Sequence, residues 1–177
     1  LNTVITDYLA SPEYKKLLSF YPNIHVASLL DKHTGNIMGS PVHLGKMVMN
    51  LVTNAVEASP DGGTITISTS TELLEKPVKG FDRDVPPGEY VVLTISDKGV
   101  GIEPDHLKRI FMPFYSKKKM GRSGTGLGMT VVWGTVADHN GFIVLESEPG
   151  RGTTIQLYFP ETRKPVKASR DEPVLSI

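Results

Sequence analysis

Hydrophobic residues recur at two different periods along the chain, and the two periods divide it into helices and strands. From Pro41 onward, apolar residues recur every three or four positions, which predicts a helix with one buried face. Ser40 is placed to act as its N-cap, and the glycine-rich turn at 60–63 is expected to end it. The buried face is predicted to consist of Leu44, Met47, Val48, Leu51, Val52, Ala55 and Val56.

Runs rich in β-branched and aromatic residues predict the strands. The predicted strands cover residues 24–30, 36–38, 64–69, 90–95, 142–147 and 153–159. Further helices are predicted within residues 2–19, at 104–110 and at 130–139. Residues 72–88 are polar and contain three prolines, so they are expected to form an exposed excursion between two strands.

Length and charge set limits on the partners that the chain is expected to have. Its 177 residues favour one domain with a sizeable core. Lys plus Arg equals Asp plus Glu at 19 each, so no overall charge favours nucleic acid or a membrane surface. Cysteine is absent, which excludes disulfide and thiol chemistry, and no apolar run approaches the length of a membrane span. The isolated domain is expected to be a monomer without a nucleic-acid partner.

The predicted strand at 90–95 leads into a carboxylate and a glycine turn. Asp97 follows the strand, and Gly99 and Gly101 come next, before Ile102. A carboxylate accepts hydrogen bonds, and glycines leave the backbone open because they carry no Cβ atom. This combination suits an amino-bearing planar ring such as adenine, with Asp97 accepting from the amine. Taken alone, the same composition is also that of an ordinary turn.

Two asparagines lie four residues apart on the helix that begins at Pro41, so they share one face. Asn50 and Asn54 carry polar amides on a mostly apolar helix, where an unsatisfied amide costs free energy. Their oxygens would suit a hydrated Mg²⁺ beside phosphates, because this cation prefers oxygen ligands. The alternative is that they cap a neighbouring loop, and both readings remain open at this point.

A basic, glycine-rich segment, residues 116–128, stands directly before the predicted helix 130–139. Four of its last eight residues are glycines, which expose backbone amides to an anion at the helix N-terminus. Positive charge surrounds them at Lys117, Lys118, Lys119 and Arg122. A P-loop is excluded because no Gly-Lys-Ser/Thr occurs, and a dinucleotide fold is disfavoured because no strand directly precedes the glycines. We expect a mobile lid, over about residues 116–124, that closes over phosphates.

In their order and spacing, these segments resemble the ATP-binding catalytic domain of sensor histidine kinases, in the GHKL ATPase superfamily. Residues 50–55 match the N box, 97–101 the first glycine box, 111–114 the F box and 124–128 the second glycine box. Each motif is weak alone, but the ordered set over about 42–160 is highly specific. The Pro-Phe-Tyr sequence and the short, lysine-rich lid look most like the nitrogen-regulation type of sensor kinase.

The resemblance implies a Bergerat fold. This is an α/β fold, an α+β two-layer sandwich, in which helices cover one face of a mixed sheet. Residues 1–40 are expected to form a helical and strand lead-in of the same domain. Residues 41–160 would be the ATP-binding catalytic core, and 161–177, charged and non-periodic, a tail or linker.

The implied ligands are ATP and Mg²⁺. Asn54 would be the Mg²⁺ ligand, and Asn50 would help to orient the reaction. Asp97 and the hydroxyl of Thr153 would lie at the adenine and share a water molecule. The remaining nucleotide contacts are expected from the two glycine boxes and the lid: Gly99, Gly101, Ile102, Lys118, Arg122, Gly124, Thr125, Gly126, Leu127 and Gly128.

The sequence departs from the family pattern in two places. Three residues after the Mg²⁺ ligand many members carry a cation, whereas this chain has Glu57, so no phosphate contact is expected there. The family's phosphoacceptor is a His followed by an acid on a separate dimerising hairpin of helices. No histidine here has an acidic follower, so surface or helix-end roles are expected for His25, His33, His43, His106 and His139.

The implied activity is therefore transfer of the γ-phosphoryl of MgATP to a His on a dimerisation domain that this chain does not contain. That domain and the receiver domain of a response regulator are the implied partners. The cytoplasm is the expected location, even if the parent protein is anchored in a membrane.

Two other functions compete with the kinase. Conformational ATPases of the superfamily carry a Glu four residues before the Mg²⁺ ligand, where this chain has Asn50. A neutral amide is a poor general base, which disfavours hydrolysis. A nucleotide-dependent binding module without catalysis would be favoured by a broken box, and every box is intact.

Overall fold

The computed structural model describes residues 1–115 and 126–165. Over these two ranges the helices are α1 (Asn2–Ala10), α2 (Pro12–Ser19), α3 (Pro41–Glu57), α4 (Pro104–Leu107) and α5 (Gly128–Asp138). The strands are β1 (Ile24–Leu30), β2 (Asn36–Ile37), β3 (Gly63–Leu74), β4 (Gly88–Asp97), β5 (Phe142–Glu148) and β6 (Gly152–Thr162).

The strands form one mixed sheet in which β6 is the long central element. The order runs β1-β3-β4-β6, and both β5 and β2 pair with the far side of β6. Only the β1–β3 pair is parallel among these strands; β3, β4, β6, β5 and β2 pair antiparallel. The long antiparallel pairing of β4 with β6 brings their ends together, with Asp97 opposite Thr153.

Helices cover one face of this sheet because α3 presents the apolar stripe that its sequence predicts. The seven residues predicted for its buried face are all buried. Ser40 caps the helix by accepting a hydrogen bond from the His43 N–H at 3.4 Å. Alternate residues of β4 meet this stripe, among them Leu93 and Ile95, and α5 lies alongside α3. The prediction of α3 is confirmed.

The lead-in before α3 packs into the same core. Ile5 of α1 is fully inaccessible to solvent, and Tyr8 is buried beside α3. The buried hydroxyl of Thr69 on β3 donates to the Asn2 carboxamide oxygen at 2.7 Å and accepts from the Asp31 N–H at 3.2 Å. Hydrogen bonds therefore tie α1 and the end of β1 to the middle of the sheet.

The connection between β3 and β4 differs from the exposed excursion expected at 72–88. Strand β3 continues to Leu74, and the connection folds back on the protein through two apolar residues within a polar stretch. Val85 is fully buried against the sheet face opposite the helices. Phe81 donates its backbone N–H to Ile143 of β5 at 2.7 Å, which covers part of an edge strand. Val85 and Phe81 were not predicted to be packed because the residues around them are mostly proline, glycine or charged.

Other boundaries also differ from the sequence pattern by a few residues, as three examples show. Helix α5 begins at Gly128, two residues before the predicted start, and α4 ends at Leu107. Strand β6 continues past Pro160 to Thr162, because β2 pairs with its last two residues.

Candidate nucleotide-binding site

Asp97 is a buried carboxylate at the end of β4, with 7% of its surface exposed. Its Oδ1 accepts a hydrogen bond from the Gly99 N–H at 2.9 Å. Burial raises the pKa of the Asp97 carboxyl above its ordinary value, while hydrogen bonds from the Gly99 and Thr153 backbones act in the opposite direction. The side chain is thus a buried acceptor held by the backbone.

The strand register sets three polar side chains in a row across one face of the sheet. Asp97 on β4 lies opposite Thr153 on β6, and Thr153 lies opposite Ser147 on β5. Directly opposed residues of antiparallel strands project to the same side, which here is the side covered by α3 and α5. The Thr153 and Ser147 hydroxyl oxygens are 2.8 Å apart.

The glycine turn after Asp97 is held between the end of α3 and the β5–β6 turn. The Val100 N–H donates to the Ala58 carbonyl at 2.8 Å, and the Val100 carbonyl accepts from Gly150 at 2.8 Å. A Cβ atom at Gly99 would collide with the Ala58 carbonyl.

Gly101, with φ +69°, meets a similar constraint, since its Cβ would collide with the Glu148 carbonyl. The sequence suggested that both glycines leave room for a ring. In the structure the space beside each is occupied by protein backbone, so close packing of the turn already requires glycine at both positions.

Asn50, on α3, faces the start of α5. Its amide donates to the Lys46 carbonyl one turn earlier at 2.9 Å. Its Oδ1 lies 2.8 Å from the point where a Cβ of Gly128 would stand, so any larger residue there would press on the carboxamide. The N box and the second glycine box are therefore in contact through this pair.

Asn54 is half-buried on the same face of α3, one turn closer to the Asp97 turn. Its carboxamide has no hydrogen-bond partner within residues 1–115 and 126–165, and an oxygen available in this way suits a cation. No group of three or more His, Asp or Glu side chains suited to a metal occurs in those ranges. One amide oxygen fits Mg²⁺ that arrives with a nucleotide, because phosphates and water supply its other ligands.

The second glycine box is described only from Gly126 onward. Gly126 has φ +70°, and a Cβ there would lie 2.7 Å from the Phe114 carbonyl carbon. The F box and the second glycine box therefore approach closely in front of α5. The helix begins at Gly128, which is half-buried, and the exposed Leu127 is its N-cap residue. Four predicted contacts lie outside the described residues, namely Lys118, Arg122, Gly124 and Thr125, as does the whole of the predicted lid.

Two aromatic rings from outside the F box, those of Phe81 and Trp133, pack against its first residue. Phe111 is buried, with its ring centroid 4.8 Å from that of Phe81 and 5.2 Å from that of Trp133 on α5. Phe114 is 78% exposed and has φ +60°, a region that non-glycine residues seldom adopt. The F box is thus anchored at its first residue and exposed at its last.

The sequence reasoning missed two residues that the site uses. Ser147 contacts Thr153 and also accepts the Ile102 N–H at 2.9 Å. The alternation of β5 places it on the same face as Ile143 and Leu145, so a small polar residue on an inward-facing position was an available signal. The second residue, Phe81, was a lone aromatic in a segment read as exposed.

Comparison with known proteins decides the family. The family described as histidine kinase-, DNA gyrase B-, and HSP90-like ATPase matches residues 39–163. The chain belongs to this family. The match runs from just before the cap of α3 to just after β6, and it contains all four boxes that the sequence indicated.

Three curated relatives of the chain are named as kinases. It is 40% identical to Sensor kinase CckA of Brucella abortus (strain 2308) over 129 residues, 73% of this chain and 13% of that protein. It is 33% identical over 132 residues to Sporulation kinase E of Bacillus subtilis (strain 168), 75% and 16% of the two chains. For Sensor-like histidine kinase SenX3 of Mycolicibacterium smegmatis (strain ATCC 700084 / mc(2)155), 30% identity extends over 169 residues, or 93% and 40%.

The chain thus spans between 13% and 40% of the length of these relatives. The resemblance to the catalytic domain of sensor histidine kinases is confirmed. The nitrogen-regulation subtype stays a prediction.

Solved structures confirm the fold. The mycobacterial sensor histidine kinase MprB superimposes with a TM-score of 0.66 and 24% identity, covering 90% of this chain and 93% of that chain. The catalytic domain of histidine kinase ThkA gives a TM-score of 0.67 with 23% identity, covering 91% and 92%. The mixed sheet with helices on one face is therefore the arrangement of histidine kinase catalytic domains. In the part of the chain described, no helix has the length and apolar character needed to cross a membrane.

Proposed function

We propose that this chain binds MgATP and serves as the catalytic domain of a sensor histidine kinase. Its substrate would be a histidine on a dimerising hairpin of helices outside this chain. A response regulator with a receiver domain would then take up the phosphoryl group. The domain would lie in the cytoplasm, where ATP is available, even if the parent protein is anchored in a membrane.

The observation that carries this proposal is the pairing of buried Asp97 at the end of β4 with half-buried Thr153 at the start of β6. Asp97 and Thr153 lie opposite each other beside a backbone turn that is fixed at both ends. An acceptor pair of this kind suits the exocyclic amine of adenine. Asn54 and the start of α5 lie on the neighbouring helices, where they suit Mg²⁺ and phosphates.

A solved relative supports ATP as the nucleotide. Full-length ShkA in complex with AMPPNP superimposes with a TM-score of 0.64 at 21% identity, covering 90% of this chain and 29% of that chain. AMPPNP is an ATP analogue, and it is bound by that protein. We extend the same ligand class to this chain because its boxes are intact.

In the proposed reaction a ring nitrogen of the acceptor histidine attacks the γ-phosphorus. The N–P bond forms as the bond from phosphorus to the β,γ-bridging oxygen breaks, ADP leaves with that electron pair, and the imidazole loses its proton. Bound Mg²⁺ would neutralise charge on the phosphate oxygens. The chain's own part is to position the nucleotide and to direct backbone N–H groups at its phosphates, which is most of what phosphoryl transfer requires.

The geometry of Asn50 argues against a conformational ATPase. Hydrolysis needs a base that accepts a proton from water, and the neutral amide of Asn50 is a poor base. Its NH₂ group already donates a hydrogen bond to the Lys46 carbonyl. Asn50 is better suited to hold the start of α5 in position through its contact with Gly128.

Calorimetric titration with ADP and Mg²⁺ tests the binding half of the proposal. Wild type is expected to bind, and Asp97→Asn to bind at least tenfold more weakly, because the amide must present its oxygen without charge assistance. Asp105→Asn, at an exposed position on α4, is the matched control and should bind like wild type. Equal affinity of wild type and Asp97→Asn would remove Asp97 from the site.

A further inference from the structure

Ser147, on β5, connects the glycine turn after Asp97 with β6 through a single hydroxyl group. Its Oγ accepts the Ile102 N–H at 2.9 Å, donates to the Gly152 carbonyl at 3.1 Å, and lies 2.8 Å from the Thr153 Oγ1. The first contact belongs to the glycine turn after Asp97, and the other two belong to β6.

When all three contacts are made as hydrogen bonds, only one assignment of the Ser147 and Thr153 hydroxyl protons satisfies them. The backbone N–H of Ile102 can only donate, and the carbonyl of Gly152 can only accept. A serine has one hydroxyl proton, which therefore goes to Gly152. In the contact between the two hydroxyl groups, Ser147 must then be the acceptor and Thr153 the donor, so the Thr153 O–H points at Ser147.

This assignment leaves Thr153 as an acceptor on the side facing β4. The row across the sheet runs Ser147, Thr153, Asp97, so the Thr153 proton points away from Asp97. Both Thr153 and Asp97 then present only oxygen lone pairs to the space between them and the helices. A ligand group placed there has to donate hydrogen bonds.

We propose that Ser147 is a positioning residue that sets the purine preference of this site, by holding Thr153 in its accepting orientation. The inference rests on the proposed function. A 6-amino purine offers N–H donors to two acceptors. A 6-oxo purine, such as hypoxanthine, presents a carbonyl that meets lone pairs on both residues and is rejected. Without Ser147 the Thr153 hydroxyl is free to turn and donate to that carbonyl.

The test compares ADP with IDP, which differ at the 6-position of the base. Calorimetric titrations in Mg²⁺ give the ratio of the two dissociation constants for each variant. Ser147→Ala is expected to lower the preference for ADP about five- to tenfold, the value of one hydrogen bond. Ser147→Thr retains a hydroxyl group, and threonine is favourable in strands. This variant should therefore keep the wild-type preference for ADP over IDP.

Ser96→Ala is the matched control, because Ser96 Oγ also pairs with a threonine hydroxyl, that of Thr154, at 2.8 Å on the opposite face of the sheet. Its ratio should equal that of wild type. A purely structural role of Ser147 would weaken ADP and IDP alike and leave the ratio unchanged, which would overturn the inference. If wild type bound neither nucleotide, the proposed function would fail as well, so the two failures are distinguishable.

Discussion

The binding role that we propose for Asp97 comes with a cost to the folded state. Burial raises the pKa of its carboxyl, so the folded protein holds the proton more tightly than the unfolded chain does. Stability from this group is fully present below the ordinary Asp pKa of about 3.9 and is lost as pH rises through the raised value. At neutral pH the ionised, buried carboxylate therefore lowers the free energy of unfolding.

Asp97→Asn is expected to stabilise the nucleotide-free domain at neutral pH while it weakens nucleotide binding. A gain of about 1 kcal/mol would raise Tm by about 2–4 °C at this chain length. The gain should shrink as the pH is lowered and should disappear below the ordinary Asp pKa of about 3.9, because the wild-type carboxyl is then protonated in both the folded and the unfolded state. Thermal unfolding at several pH values measures it, with exposed Asp105→Asn as control. A Tm difference that does not change with pH would contradict the assignment.

Asn54 is expected to act through the cation rather than through the base. Asn54→Ala should reduce ADP affinity only in the presence of Mg²⁺, because the variant lacks the amide oxygen that suits a hard cation. Paired titrations with Mg²⁺ and with a chelator separate the two conditions. Val42→Ala, at an exposed position on the same helix, should show the wild-type Mg²⁺ dependence. An equal loss of affinity with and without Mg²⁺ would remove Asn54 as the ligand.

Residue identities at the site were partly readable from the sequence. Asp97 stood out because a strand run ended at a carboxylate followed by glycines. The reason for those glycines was not readable, because the Ala58 and Glu148 carbonyls that fill their space come from distant parts of the chain. Ser147 was overlooked for the same reason, since its contacts come from the pairing of β5 with β6 and from the glycine turn after β4.

At the scale of elements, α3 and α5 are tied together at one end by His139. The Ser40 N–H donates to the His139 Nε2 at 3.0 Å, and Nδ1 lies 2.6 Å from the Thr135 carbonyl. Nε2 accepts, so Nδ1 carries the proton and donates. The histidine at the end of α5 thus holds the cap of α3, and α3 carries both asparagines of the N box.

The connection from β3 to β4 is expected to stabilise the F box through Phe81. Phe81→Ala would remove the ring that packs on Phe111 and Trp133, at a cost of about 2 kcal/mol for a half-buried phenylalanine. Phe20→Ala, with 68% of the side chain exposed, is the matched control. Urea unfolding of both variants measures the difference. Equal, small losses would mean that the connection does not support the core.

Elements with strong periodicity were predicted well, and those that depend on tertiary contacts were not. The stripe of α3 repeats over its whole length and was recovered residue by residue. Strand β6 was predicted to end at Phe159 because the chain beyond Pro160 is charged and non-periodic. However, β2 pairs with Glu161 and Thr162 and so extends β6. Val85 was read as exposed because its neighbours are charged or proline, yet it is fully buried.

For the whole molecule, the chain spans a minor part of each of the three relatives compared, and those relatives are named as kinases. None of its histidines is followed by an acid, and Asn50 replaces the hydrolytic glutamate. A domain that lacks both a suitable acceptor histidine and the hydrolytic glutamate should bind nucleotide but catalyse almost no reaction by itself. The family and fold could be predicted from the sequence because four motifs occur in one order.

The most direct test follows γ-phosphate label with and without the helical hairpin of the parent protein. The chain alone should neither label itself nor release phosphate appreciably. With the hairpin, added in cis or as a separate dimer, acid-labile label should appear on the hairpin's histidine, and it should be lost when Asp97→Asn is introduced. Brisk phosphate release by the isolated chain, without transfer to the hairpin, would contradict the kinase assignment and favour a conformational ATPase.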